Sequence, residues 1–267
     1  MASFKSGFFP AKQEDPRYLR CPGGKDRNIV TQETQPPGAI EAEVTKFNRL
    51  ADTWWDKNGP MAPLHGLNAI RLPFINSTLT KAGLVPRSTR LLDVGCGAGI
   101  LSESLAEKDY MVCGTDPASK NIAIARQHAR ENGVAVSYQE GLVEEIVDTH
   151  FDAVLVMEVV EHVPDITQLL HQCADKLKPG GWLFVATINR TLASFITAII
   201  GAEYIFRMLP MGTHDWHQFV KPGEIIKPLN NFELIEQTGV SVNPIGPKFK
   251  LTQYMGINYM LSLRKNS

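Results

Sequence analysis

Glu158, Glu161 and His162 stand at positions i, i+3 and i+4, directly after the apolar run Phe151–Met157. On a helix, all three would project from one face. Two carboxylates and an imidazole so arranged can hold a hard divalent cation such as Mg²⁺. Without a metal, His162 is a candidate general base, because imidazole titrates near neutral pH. The same Glu-His-Val-Pro stretch also reads as a helix start with capping polar groups. Spacing alone leaves these readings open. A second ionisable cluster, His214 and His217 around Asp215 and Trp216, offers another base or ordinary loop hydrogen bonding.

A second chemical feature lies upstream. Leu91-Leu92-Asp93-Val94 feeds the turn Gly95-Cys96-Gly97-Ala98-Gly99. Residues without Cβ let the backbone turn tightly and approach a ligand. The helix expected next offers free N–H groups and partial positive charge. A dinucleotide site would place its third glycine three positions after the second. Here Ile100 holds that place and Gly99 is the third glycine. The shorter form suits S-adenosylmethionine, which has no pyrophosphate. Asp116 follows Gly95 by 21 positions, where a doubly wound fold presents a carboxylate to ribose hydroxyls. It can also cap the helix after Pro117.

These groups need a frame. The spacing predicts helices over Ala42–Trp55 and Ile70–Leu79, then strands and helices in alternation. The expected strands are Arg90–Val94, Met111–Thr115, Val136–Gln139, Phe151–Met157 and Trp182–Thr187. The expected helices are Ile100–Glu107, Ala118–Asn132 and Ile166–Leu177. Lys178-Pro179-Gly180-Gly181 reads as a helix stop followed by a turn. Such alternation implies βαβ units and a mostly parallel sheet.

Composition narrows the class. A 43% hydrophobic and 21% charged chain is globular, not disordered. A net charge of −1 argues against bulk attraction to nucleic acid, and no basic, aromatic-studded stretch accompanies the core. Cys21, Cys96, Cys113 and Cys173 form no C-x-x-C pair and read as free thiols in a reducing compartment. Residues 1–40 are basic, rich in Gly, Pro and polar residues, and read as a flexible tail or transit segment. Residues 41–267 read as one domain, with an N-terminal helical cap and an apolar lid insertion near 191–220.

The glycine loop, Asp116 and Leu177-Lys178-Pro179-Gly180-Gly181 before a strand together resemble the class I S-adenosylmethionine-dependent methyltransferases. The resemblance spans roughly Arg90 to Thr187. It implies a Rossmann-like α/β fold: a mostly parallel seven-stranded sheet, helices on both faces, the last strand inserted antiparallel. Further segments narrow it. They are Pro63–Leu72, Met157–Val163, Gly201–Tyr204, Gly212–Asp215 and Asn258–Met260. In this order they are similar to the ubiquinone-biosynthesis O-methyltransferase family, from about Ala42 onward. Ala69 departs from it, standing where proline often precedes the arginine.

That resemblance implies methylation of catechol-type hydroxyls on polyprenylated rings, at the polyprenyl-dihydroxybenzoate and demethylubiquinol steps. It also implies S-adenosylmethionine contacts from Arg71, Gly95, Asp116 and Met157, and Mg²⁺ ligation by Glu158, Glu161 and His162. Read without it, Arg71 is a surface arginine and Met157 a core residue. Bidentate pairing with the methionine carboxylate suits Arg71. A catechol bound through both oxygens to a metal loses its proton more readily.

The stretch Thr191–Leu209 is apolar apart from Glu203 and Arg207, interrupted by Gly201 and stopped by Pro210. It is too short and broken to span a bilayer. It reads either as a buried helix pair or as a lid that dips into the membrane interface and admits a prenylated substrate. The expected partners are a polyprenylated catechol, the bilayer surface and other ubiquinone-biosynthesis proteins. The expected place is peripheral, on the matrix side of the mitochondrial inner membrane, or membrane-associated in a bacterial cytoplasm. The alternatives are methylation of a soluble phenol or of quinone carbon, and a non-catalytic cofactor-binding scaffold.

Overall fold

A computed structural model describes residues 39–191, 194, 218–243 and 248–267. The sheet has eight strands in the order β3-β2-β1-β4-β5-β8-β6-β7. They are β1 Arg90–Val94, β2 Met111–Asp116, β3 Val136–Glu140, β4 Phe151–Met157, β5 Leu177–Ile188, β6 Phe232–Asn243, β7 Lys248–Thr252 and β8 Asn258–Lys265. The described helices are α1 Ala39–Leu50, α2 Ala62–Lys81, α3 Ile100–Ala106, α4 Ser119–Asn132, α5 Ile166–Lys176 and α6 Pro222–Ile226. Strands β1 to β5 pair in parallel, and β8 runs antiparallel between β5 and β6. The expected seven strands, last one inserted, are therefore present. The eighth, β7, extends the sheet at the β6 edge.

Period-two alternation explains why the sheet is covered on both faces. Ala153, Leu155 and Met157 of β4 join Trp182, Phe184 and Ala186 of β5 in one core layer, with Phe74, Ile75 and Leu79 of α2. Val154 and Val156 join Leu183 and Val185 in the other, with Leu169, Leu170 and Cys173 of α5. Phe74 meets Phe184 edge-on, at 6.2 Å between ring centres. Burying each such apolar side chain contributes about 1.5–3 kcal/mol. This scaffold fixes the strand ends that carry the site.

Element ends follow local chemistry. Asp165 caps α5 by accepting from Gln168 N–H at 2.9 Å. Gly133 ends α4 in the left-handed region.

Several expectations need correction. Helix α1 starts earlier than predicted and ends at Leu50, with Ala51–Thr53 a 3₁₀ turn. Helix α2 is 20 residues long and contains Pro73 within it. Lys178-Pro179-Gly180-Gly181 is not a turn before the strand but a bulge inside β5. Phe151 pairs with Leu177 and Ala153 with Trp182, so the intervening residues loop out, with Gly180 at φ +73°. Cys96 and Cys173 are free and buried, but Cys113, expected to be free, is disulfide-bonded.

Candidate active site

The strand order reverses beside β1, which has β2 on one side and β4 on the other. In an open α/β sheet this is where a crevice forms, outside the carboxyl ends of the strands. The glycine loop leaves β1 at that point. Gly95 and Gly97 lie at φ +67° and +56°, which already disfavours any side chain. A Cβ on Gly97 would also run into the Trp54 ring, and one on Gly95 into Val159. The loop is thus squeezed between the α1 segment and the turn after β4.

Asp116, at the end of β2, holds this loop from the side. Its Oδ2 accepts from Gly97 N–H at 2.9 Å and its Oδ1 from Ala118 N–H at 2.8 Å. The expected helix cap is corrected: α4 has Ala118 as its N-cap without a side-chain cap, and Asp116 instead closes the turn before it. Oδ1 also accepts from Asn121 Nδ2 at 3.4 Å, so Oδ2 is the oxygen that keeps acceptor capacity for another donor. Burial pushes its carboxyl above the usual range, against those hydrogen bonds. Asp93, not singled out from the sequence, sits beneath the loop in β1. Ser102 Oγ donates to it at 2.6 Å. Burial raises its carboxyl to about 6, opposed by Ser102 and by the charge of Arg71.

Arg71 is not the surface arginine of the alternative reading. It projects from α2, is buried, and contacts Glu158 Oε1 through one guanidinium nitrogen at 2.7 Å. Its Nε is buried without a hydrogen-bond partner. Met157 ends β4, buried in the core layer shared with α2.

The acidic segment departs from the expected geometry. Glu158 lies at φ +56°, outside any helix, while its N–H donates to Ala186 O at 2.8 Å. Only Val160–His162 turns, and as a single 3₁₀ turn. The one-face arrangement of Glu158, Glu161 and His162 is therefore corrected, and the three side chains take different partners. Glu158 pairs with Arg71, Glu161 accepts from Thr187 Oγ1 at 2.8 Å, and His162 Nδ1 lies 3.0 Å from Glu43 of α1. Among the described residues no three His, Cys, Asp or Glu gather to hold a metal ion. Burial first, and the Glu158 charge second, raise the Glu161 carboxyl to about 7. Two carboxylates and an imidazole are residue types that a hard divalent ion takes, but here Glu158 is engaged by Arg71.

The N-terminal segment supplies Glu43, which the sequence did not single out, beside Phe47 and Trp54, two residues of the apolar stripe that predicts a helix over Ala42–Trp55. Phe47 meets the His162 ring edge-on at 5.3 Å and lies 6.5 Å from Trp54. The available signal was Glu43 itself, a carboxylate four residues before Phe47 on the apolar stripe. His214, His217, most of the apolar stretch and residues 1–38 lie outside the described residues.

Comparison with known proteins agrees with this geometry. A family described as a methyltransferase domain matches residues 67–238. The ubiquinone biosynthesis O-methyltransferase of Methylobacterium nodulans is 43% identical over 244 residues, covering 87% of this chain and 98% of that protein. The protein of that name from a Shewanella species is 43% identical over 228 residues, covering 84% and 95%. Among solved structures, the magnesium protoporphyrin IX methyltransferase of Synechocystis PCC 6803, with bound SAM, gives a TM-score of 0.62 at 18% identity, covering 88% of this chain and all of that one. The N-methyltransferase NodS of Bradyrhizobium japonicum gives 0.56 at 16% identity, covering 86% and 100%. These structural likenesses establish the fold, and the sequence relatives establish more: the chain belongs to the ubiquinone biosynthesis O-methyltransferase family.

Proposed function

We propose that this protein transfers the methyl group of S-adenosylmethionine to a catechol-type hydroxyl of polyprenylated ring intermediates in ubiquinone biosynthesis, at the dihydroxybenzoate and demethylubiquinol steps. The observation that carries this reading is the glycine loop held by Asp116 at the strand-order reversal, with buried Arg71 acting by its charge on Asp93 beneath that loop, in a chain 43% identical to relatives of that name.

The residues divide the work. Asp116 accepts from the ribose through Oδ2, the oxygen whose second lone pair its turn leaves over. Gly95 and Gly97 let the nucleoside approach the backbone, and Met157 closes the floor near the sulfonium. Arg71 takes the methionine carboxylate as a charge-assisted pair, using the Nε now without a partner. Methyl transfer forms an O–CH₃ bond, breaks the S–CH₃ bond and leaves a neutral thioether, while the phenolic proton departs to a base. Holding oxygen and methyl in line converts binding into rate.

Magnesium is part of the proposal. Glu158, Glu161 and His162 would hold it, and when bound it would lower the pKa of the catechol oxygens. His162 has two candidate roles, third ligand and proton acceptor. Both use Nε2, because Nδ1 faces Glu43. Dialysis against a chelator separates them. Turnover lost and restored by Mg²⁺ supports ligation; turnover unchanged without cation removes the metal and leaves His162 as the base.

Membrane attachment belongs to the same reading. No described helix is long and apolar enough to cross a bilayer. A polyprenyl chain partitions into lipid, so a peripheral enzyme meets its substrate at the interface. We place the protein on the matrix side of the mitochondrial inner membrane, or at a bacterial membrane from the cytoplasm, beside other enzymes of the route. Charging Phe195 and Ile199 is expected to release it from liposomes with cofactor affinity unchanged; retained liposome binding would contradict the lid. Competition between prenylated and unprenylated catechols tests the substrate. Equal kcat/KM for both would shift the assignment to a soluble phenol.

A further inference from the structure

The N-terminal helix α1 delivers the Glu43 carboxylate to the His162 ring. Glu43 Oε2 is 3.0 Å from His162 Nδ1, against 3.7 Å to Lys46 Nζ on its own helix. Both Glu43 Oε2 and His162 Nδ1 are buried, and the contact between them is close without being aligned as a hydrogen bond. Bonds of this kind are often poorly aligned before substrate arrives and tighten afterwards. Phe47, one turn on, holds the imidazole edge-on against its ring.

The segment that carries Glu43 is also tied to the cofactor loop. Trp54 packs on Gly97, and Trp55 Nε1 donates to Ala98 O at 3.1 Å. His65 Nε2 lies 2.8 Å from Trp54 O, and Asn48 Oδ1 accepts from Lys120 N–H of α4 at 3.0 Å. One helix and its following turn therefore contact both the glycine loop and His162. A shift of that segment would move the two together.

From this juxtaposition we infer that Glu43 is a positioning residue for His162: it fixes the ring with Nδ1–H directed to its carboxylate, so that Nε2 carries the lone pair. The inference deepens the proposed function and rests on it, since the lone pair serves either role assigned to His162 there. A carboxylate behind an imidazole orients it and sets its tautomer in metal and non-metal sites alike. An imidazole left to solvent prefers the opposite tautomer, with the proton on Nε2.

The test begins with the unaltered protein. Nitrogen-15 spectra of histidine-labelled full-length chain, with the His162 signal assigned by His162→Gln, report which ring nitrogen carries the proton in the neutral form. Nδ1–H at His162 is expected; Nε2–H would overturn the inference without any variant. Glu43→Ala is expected to lose that tautomer and to lower kcat by about 10–100-fold, the range for orienting carboxylates. S-adenosylmethionine affinity by calorimetry should stay within about twofold, and Glu43→Gln, which still accepts a hydrogen bond, should recover part of kcat. Wild-type kcat in Glu43→Ala contradicts the inference. So does a loss of cofactor affinity matching the loss of kcat, which is what a packing defect would give. Should Glu43→Ala not fold, the wild-type tautomer and Glu43→Gln still decide. Failure of the wild-type protein to methylate a prenylated catechol would sink the proposed function separately, because the tautomer is read without substrate.

Discussion

On the cofactor side of the crevice, β1 and β2 hold the glycine loop largely through main-chain groups: Cys96 N–H to Thr115 O, Gly97 N–H to Asp116, Ala118 N–H to Asp116. Across from it, Glu158, Glu161 and His162 meet Arg71, Thr187 and Glu43, side chain to side chain, from four separate elements. The first region is built from residues close to one another in sequence or joined by strand register. The second exists only when helices far apart along the chain have docked. Backbone-built sites are stiff before the ligand arrives, whereas side-chain pairs can exchange partners when one does. That contrast suits a nucleoside held in one pose and an oxygen that must be brought to it.

The largest effect should come from breaking the stiff side. Gly97→Ala places a methyl against the Trp54 ring at a left-handed position. Overpacking costs about 1–3 kcal/mol, and the backbone about 1–2 kcal/mol more. A clear fall in Tm and a more than tenfold rise in S-adenosylmethionine Kd are expected. Unchanged calorimetry would mean that the loop is not shaped by Trp54.

A smaller effect tests the exchangeable side. Arg71→Lys keeps the charge but loses the planar guanidinium. About a tenfold rise in cofactor Kd is expected, with little change in Tm. Equal Kd would show that Arg71 serves only Glu158.

The smallest effect is a pH dependence beneath the loop. The Asp93 carboxyl, near 3.8 when free, is raised by burial to about 6 in the fold. Between those values the folded chain holds a proton that the unfolded chain has lost, so stability falls as pH rises through this window. In Asp93→Asn the side-chain amide cannot titrate, yet its oxygen can still accept from Ser102. The Tm of Asp93→Asn relative to wild type should therefore climb from about pH 4 to about pH 6.5 and then level off. A flat difference would contradict the burial argument.

The same contrast decides what was legible in the sequence. Arg90–Val94, Phe151–Met157 and the spacing from Gly95 to Asp116 are local patterns, and the fold follows them closely. Leu177–Gly181 misled because glycine and proline mark a bulge as readily as a turn, and only pairing with β4 distinguishes them. Strands β6, β7 and β8 were not assigned, although Tyr259, Leu261 and Leu263 alternate in β8 with Met260, Ser262 and Arg264. The helix face assumed for Glu158, Glu161 and His162 failed because Glu158 takes a left-handed conformation that spacing does not encode. Glu43 is 119 positions before His162, so no local period could join them.

The central claim, methyl transfer from a sulfonium nucleoside to a ring oxygen, has one direct measurement. Purified protein is incubated with a prenylated catechol and S-adenosylmethionine carrying a deuterated methyl group, and the product is analysed by fragment mass spectrometry. The account predicts one labelled methyl per ring, on oxygen, with S-adenosylhomocysteine in equal amount. Label on ring carbon, or cofactor left intact beside unmodified catechol, would contradict it.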